Sequence, residues 1–480
     1  MNTAFLSVFK SGKATTPSLV EAIVEAVDSG LLAQGDKMPS TRELSIIVGA
    51  SRTTVVRAFD QLIARGYLEA ISGSSTVVAA GKSKPRLRPE NTHGPQFPWS
   101  DRYSETAKRL PNNVLDDLTT SADISQLQNG AVPIDLLPAK EWGKLVLSGF
   151  QMQMKLSATK EIFGYEPLRA AIAGFLRRTQ GVVCQPHQIV LYSGPQAALA
   201  HIADLLVAPG QLAVCENPGY LGAREQFRVH GARVLPVPVD KDGLMTDALC
   251  SIQERVDWIH LSPSGQDPTG AILSPSRRNQ LLTWCQANQT AIIEDAWDSE
   301  FHYGGDFPPP LFSSGNGVIF LYNFWRLLFP LSSIAILVLP EDLIPVFRSA
   351  KNLSDRQFPT LEHYVLTDLI ESGKLEQHRR HLWKIFRKRR QALIFELKSG
   401  LRDDVEFLSP GAGMHAIVRF NPNWLPETIM HAASESSLPL APTDSYYCEN
   451  AVPNEFMVHF ASVPPEDANP MVEKFQASLK

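Results

Sequence analysis

Two helix-start signals eleven residues apart, Ser40 and Ser51, constrain this chain more than any other feature of its 480 residues. Ser40 stands three residues before Glu43, the reciprocal side-chain and backbone cap that opens a helix. Gly49 follows about two turns later and suits the left-handed residue where such a helix ends. Ser51 is a good N-cap for a second helix, whose Val55, Phe59, Leu62 and Ile63 recur at helical spacing as one packing face. That face leaves Arg52, Thr53, Thr54 and Arg57 near an exposed N-terminal end. A helix lying in a major groove needs donors there for base edges and phosphates. An earlier helix is expected from about Ser18 to Ser29, with Leu19, Ile23 and Val27 inward, and a hairpin from Tyr67 to Val78 turning near Gly73. Solvated surface charge is the plain alternative for the arginines; motif order and spacing favour contact with DNA.

Leu32, Gly35-Asp-Lys-Met-Pro-Ser40, Arg42-Glu-Leu44, Ser51-Arg-Thr-Thr-Val55, Gly66-Tyr-Leu68 and Gly73 to Val78 together resemble the winged helix-turn-helix of the GntR class of bacterial regulators. The resemblance implies a double-stranded DNA operator as partner, with Arg42, Arg52 and Thr53 among the residues touching it. The second glycine usual in the wing is Ser75 here, so the wing tip is expected to differ in shape. Residues 1–80 carry seven Lys/Arg and seven Asp/Glu. Phosphate neutralisation drives affinity, so one neutral copy should bind weakly, and a dimer on a palindromic or repeated site is expected.

The formal net charge of -5 and pI near 6.2 exclude a protein that coats nucleic acid along its whole surface. Five scattered cysteines without a C-x-x-C pair suit a reducing cytoplasm, with neither disulfide framework nor zinc site. No basic-then-apolar run marks the N-terminus as a signal peptide. Residues 317–339 are strongly apolar, but Arg326 and Pro330 interrupt them, and they read as two buried strands around a loop rather than a membrane span. The module is placed at 12–80. A linker rich in proline and basic residues follows at 81–117, and a large domain at 118–480, of which about 375–480 forms a smaller C-terminal α+β part.

In that large domain, Ile189–Tyr192, Leu212–Cys215, Trp258–Leu261, Ala291–Glu294, Val318–Leu321 and Ile334–Leu339 look like buried strands alternating with amphipathic helices. The fold expected is α/β with a mainly parallel sheet and its active groups at the strands' carboxyl ends. The loops after these runs are Ser193-Gly-Pro-Gln-Ala-Ala-Leu199, Glu216-Asn-Pro-Gly-Tyr220, Gln266-Asp-Pro-Thr-Gly270 and Ile293 to Phe301. They resemble a fold-type I, pyridoxal phosphate-dependent aminotransferase. A GntR-like head on such a body is the layout of the MocR family of transcription regulators, which implies a head-to-tail homodimer.

The resemblance also shows where the chemistry is lost. The position of the imine-forming lysine is Arg326, whose guanidinium stays protonated and cannot replace an amine. No lysine stands between Lys241 and Lys351 to take its place. The phosphate-contacting arginine falls on Ser333, and Pro195 removes a backbone donor from the Gly194-Pro195-Gln196 turn. The tyrosine that bonds the ring oxygen falls on Trp297. The substrate-carboxylate arginine falls on Met457. Asp267 takes the place of an asparagine, where a carboxylate repels a phenolate. Asp295, the pyridine-nitrogen partner, and Tyr220, the stacking aromatic, survive, although a strand-end cap and a turn residue are their plain alternatives.

Three states of the pocket remain open: a free vitamer held without a covalent bond, a different small effector whose anionic group pairs with Arg326, or no ligand at all. No catalytic residue, no metal and no covalent pyridoxal 5'-phosphate are expected. The rival reading is a working aminotransferase that carries a DNA-binding head. Two further signals take their plainer readings. The basic helix from His378 to Arg390 is a solvated face, and His415, in the Gly411-Ala-Gly-Met-His turn, makes local hydrogen bonds.

Overall fold

The computed structural model describes residues 14–71, 75–79, 102–110, 131–155, 161–304, 308–315, 317–355, 360–408 and 411–479. Gly73, expected at the turn of the hairpin, and residues 81–101 and 111–117 of the expected linker lie outside them. The chain divides into two compact units, Met1–Arg102 and Tyr103–Lys480.

The first unit packs α1 (Thr16–Asp28), α2 (Thr41–Ile47) and α3 (Arg52–Ala64) beside the hairpin of β1 (Leu68–Ile71) and β2 (Ser75–Val78). Each helix starts where a side chain satisfies its orphan amides. Ser40 N donates to Glu43 Oε2 at 2.9 Å, while Glu43 N donates to Ser40 Oγ at 3.2 Å. At α3, Thr54 N donates to Ser51 Oγ at 3.1 Å. Gly49 turns the chain between α2 and α3 with φ of 65°, a region that L side chains enter at a cost. Leu19, Ile23, Val27, Leu44, Val55, Phe59 and Leu62 are buried together. Ile63 departs from expectation: it is 38% exposed, because the burying face of α3 runs through Val55, Ala58, Phe59 and Leu62 instead.

In the second unit eight strands form one sheet. They are β3 (Ile189–Tyr192), β4 (Leu212–Asn217), β5 (Arg233–Asp240), β6 (Gly243–Leu244), β7 (Trp258–Leu261), β8 (Ala291–Asp295), β9 (Val318–Asn323) and β10 (Ala335–Val338). Their spatial order is β3-β10-β9-β8-β7-β4-β5-β6. The run from β9 through β8, β7 and β4 to β5 is parallel, and β10 is antiparallel to both its neighbours. Strands β3, β7, β9 and β10 are buried at every position, as a sheet covered on both faces requires. Residues 317–339 are indeed two strands around a helical turn at Trp325–Leu328. No helix among the described residues is long and apolar enough to cross a membrane.

A second, antiparallel sheet of β11 (Val405–Phe407), β12 (Ala416–Phe420), β13 (Leu440–Pro442) and β14 (Glu455–Val458), ordered β11-β12-β14-β13, builds the C-terminal part. Helices Lys374–Leu401, Pro426–Ser436 and Pro465–Ser478 accompany it. The parallel strands β4, β7, β8 and β9 aim their carboxyl ends at one region, where an open α/β sheet places its ligand.

Candidate ligand pocket and DNA-facing helix

In the head, α2 and α3 present the predicted contact residues to solvent. Arg42, Ser51, Arg52, Thr53 and Arg57 are exposed, and Thr54 is half-buried. Thr54 is held by its hydroxyl against Ser51 Oγ at 2.8 Å, so it helps fix the start of α3. The exposed side chains can reach a partner without unfolding anything.

The body builds its pocket from loops after successive strands. After β3, Ser193 and Gly194 lead into the helix Pro195–Leu206, with Pro195 at its first turn. Gln196 Nε2 donates to Tyr220 Oη at 2.8 Å. This approach depends on Gly222, where a Cβ would stand 1.7 Å from Gln196 Nε2. Ser333 Oγ donates to Ser193 O at 2.7 Å, so its hydroxyl ties two loops together.

Near the end of β4, the buried Glu216 accepts from Ser262 N at 3.0 Å, and burial pushes its carboxyl up to about 8. At the end of β8, Asp295 Oδ1 accepts from Trp297 N at 3.0 Å. His260 of β7 places Nε2 3.4 Å from Asp295 Oδ2. Gln266 Nε2 donates to Pro218 O at 2.7 Å and to Asp267 O at 2.8 Å, which joins the loop after β7 to the loop after β4. Asp267 itself is 7% exposed. Burial first, then the charge of Asp298, pushes its carboxyl up to about 7, against the pull of Arg326.

Arg326 follows β9 in the turn Trp325–Leu328 and is 3% exposed. Its Nε lies 2.6 Å from Asp298 Oδ1, and Nη2 donates to Oδ2 at 3.0 Å. The guanidinium carbon stands 4.6 Å from the centre of the Trp297 ring, a cation–π distance. The anionic partner expected for Arg326 is therefore a residue of the chain itself. The turn at 411–413 makes room for this pair: a Cβ on Gly413 would lie 2.7 Å from Asp298 Oδ2. Met457 sits buried on β14, opposite Ile417 and Ala441. His415 is buried, and its Nε2 donates to Pro268 O at 2.6 Å, a bond to a distant loop rather than the local one expected.

Pro195, Tyr220, Ser262, Asp267, Asp295 and Trp297 line one cavity of about 10 Å³, room for roughly one water. Five of the predicted pocket residues thus meet there. Gln196 and Arg326 touch two of its lining residues, Tyr220 and Trp297, and Gly194 and Ser333 are not among the lining. The segment Thr443–Cys448 packs nearby: Gly219 N donates to Tyr446 O at 2.9 Å, and Cys448 N to Asn217 Oδ1 at 2.8 Å. Sequence reasoning missed Glu216, Ser262 and Asp298. Asp298 had a usable signal, since a buried arginine requires a carboxylate and this one lies within the Ile293–Phe301 motif.

Comparison with known proteins matches two separate stretches of the chain to two families. Residues 15–78 match the profile of bacterial regulatory proteins of the gntR family, and residues 123–319 that of aminotransferase class I and II. The chain is 27% identical to the probable rhizopine catabolism regulatory protein MocR of Rhizobium meliloti, over 93% of this chain and 90% of that one. It is 28% identical to the pyridoxine biosynthesis transcriptional regulator PdxR of Corynebacterium glutamicum, over 83% and 82%. It is also 25% identical to the 2-aminoadipate transaminase of Thermus thermophilus, over 80% and 97%. The crystal structure of LysN, an alpha-aminoadipate aminotransferase from Thermus thermophilus, superposes with a TM-score of 0.68 at 24% identity, covering 80% of this chain and 98% of that one. That likeness establishes the fold.

Proposed function

We propose that this chain, which belongs to the MocR-type transcription regulators with a GntR head and an aminotransferase-like body, reads an operator with its winged helix and senses a small metabolite in its body without converting it. The observation that carries the second half is the ion pair of Arg326 with Asp298. By resemblance to the family, position 326 is that of the imine-forming lysine. A guanidinium keeps its proton under any physiological condition, and an imine needs a neutral amine.

Pyridoxal 5'-phosphate is the group this fold normally holds, and the residues present do not fit its covalent capture. Arg326 is committed to Asp298 and Trp297. The helix beside the expected phosphate position starts with Pro195, which has no N–H to offer an anion. Ser333 brings no charge, and its hydroxyl is engaged with Ser193. The cavity holds about one water rather than a pyridine ring. The pocket supports no reaction through that group.

The exposed set Arg42, Arg52, Thr53 and Arg57 supports the DNA-reading half. Because the head is close to neutral, affinity is expected to come from two heads in a homodimer on a repeated site. A metabolite controls binding only if it prefers one arrangement of the heads over another. Nuclease protection with the full chain tests this reading. Protection upstream of its own or adjacent genes at moderate salt, together with no measurable amino-group transfer, is the expected result. Absence of any protected site, or steady turnover, would overturn it.

A further inference from the structure

We propose that the body carries a second DNA contact, in which the exposed cations of the helix Lys374–Leu401 hold the phosphates of a duplex without reading its bases. This rests on the reading of the head as a DNA-binding module and adds a partner surface on the body.

Charge distribution is the first argument. The helix holds nine Lys/Arg and two Glu in 28 residues, within a chain whose formal net charge is -5. Lys374 pairs with Glu141, Glu376 with Arg178, and Arg379 with Glu300, and Arg389 is buried. Arg380, Lys384, Arg387, Lys388 and Lys398 are exposed, and among the described residues none of them has an ion-pair partner.

Their placement is the second. At 3.6 residues per turn the five fall within an arc of about 100°. The other positions on that arc between Arg380 and Lys398 are Gln391 and Phe395, so no acid interrupts it. Arg380 to Lys388 spans about 12 Å of helix axis, a length along which duplex DNA presents about seven phosphates. Solvation accounts for scattered cations, not for this order. Arg380, Lys384 and Lys388 stand four apart, and like charges at that spacing cost a helix stability. They lie well before the last turn, where the macrodipole would favour a cation. A polyanion laid along the stripe removes the repulsion.

The class of polyanion follows from the rest of the chain. Residues 1–80 hold seven Lys/Arg and seven Asp/Glu, whereas phosphate neutralisation drives affinity for DNA. The stripe supplies the charge that the head lacks. An anionic membrane surface would call for an apolar face beside the charge. Here Leu382, Phe386, Leu393 and Leu397 are spent on the core, and Phe395 is the one large apolar side chain this helix exposes.

The test measures binding of the full-length protein, across a salt series, to a duplex from upstream of its own gene and to a shuffled duplex of equal length. Arg380→Gln, Lys384→Gln and Lys388→Gln together should lower the slope of log affinity against log salt by about 3. Both duplexes should weaken alike, by about tenfold or more at moderate salt. Arg387 is left in place because its guanidinium lies 5.2 Å from the Trp383 ring. The charge-keeping set Arg380→Lys, Lys384→Arg and Lys388→Arg should retain the slope. So should Lys140→Gln, Arg177→Gln and Lys241→Gln, three exposed cations elsewhere on the body, which separates a contact from a change in net charge. An unchanged slope in the stripe variant, or an equal fall in the control, overturns the proposal and leaves the DNA-binding head standing. If the stripe variant loses binding to phosphatidylglycerol vesicles while its slope on DNA is unchanged, the partner is a membrane and the proposal is again overturned. If the natural chain binds neither duplex, both readings fall.

Discussion

The head leaves Arg42, Arg52 and Arg57 exposed on α2 and α3, whereas the body folds Arg326 inward against Asp298. The exposed arginines cost little to keep and stand ready for a partner of opposite charge. The buried one must be neutralised within the chain, because an unpaired guanidinium there would be expensive. The difference separates a surface that waits for a partner from an interior that has already supplied one. Residue type alone does not tell the two apart; burial and partner do.

The largest effect that would sharpen this contrast is expected from Asp298→Ala. It strands a buried cation and should cost about 3–5 kcal/mol of body stability, read by chemical denaturation. The double variant Asp298→Asn, Arg326→Met should recover most of that loss. If Asp298→Ala is as stable as the natural chain, the ion pair is not what holds this loop.

Next comes Glu216→Gln, through its pH profile. Burial raises the Glu216 carboxyl to about 8, well above its unfolded value. Its contribution to stability is therefore fully present below about pH 4.3 and lost as pH rises through about 8. The glutamine variant should gain on the natural chain as pH rises between those two values, read as a rising difference in melting temperature. Parallel profiles would contradict the assignment.

Arg52→Ala should weaken operator binding by about 1–3 kcal/mol and leave the melting curve of the head unchanged, since the side chain is exposed. The smallest effect is expected from Ser40→Ala. It removes the acceptor for Glu43 N and should destabilise the head by about 1 kcal/mol, without a direct effect on contacts to DNA.

Much of this organisation was legible in the sequence, and for identifiable reasons. The caps at Ser40 and Ser51 are local chemistry, so both helix starts were readable. The fully buried strands announced themselves as apolar runs. Strand β5 did not, because Pro236 and Pro238 break the pattern of a strand interior, and nothing local reveals that it pairs with β4. Residues 105–108, within the expected linker, form a helical turn capped by Ser104. At the pocket, Asp267, Asp295, Tyr220 and Trp297 were legible as motif positions. The pairing of Arg326 with Asp298, and the burial of Glu216, were not: both depend on how distant loops meet. The direction in which a charged side chain folds is a tertiary property.

The most direct measurement concerns the lysines. Full-length protein is incubated with pyridoxal 5'-phosphate, reduced with borohydride, digested and mapped by mass spectrometry. On the proposal that Arg326 takes the position of the imine-forming lysine, no single lysine should carry a stoichiometric pyridoxyl group, and no visible absorption band should form. A stoichiometric adduct on one lysine, with such a band lost on reduction, would contradict the account.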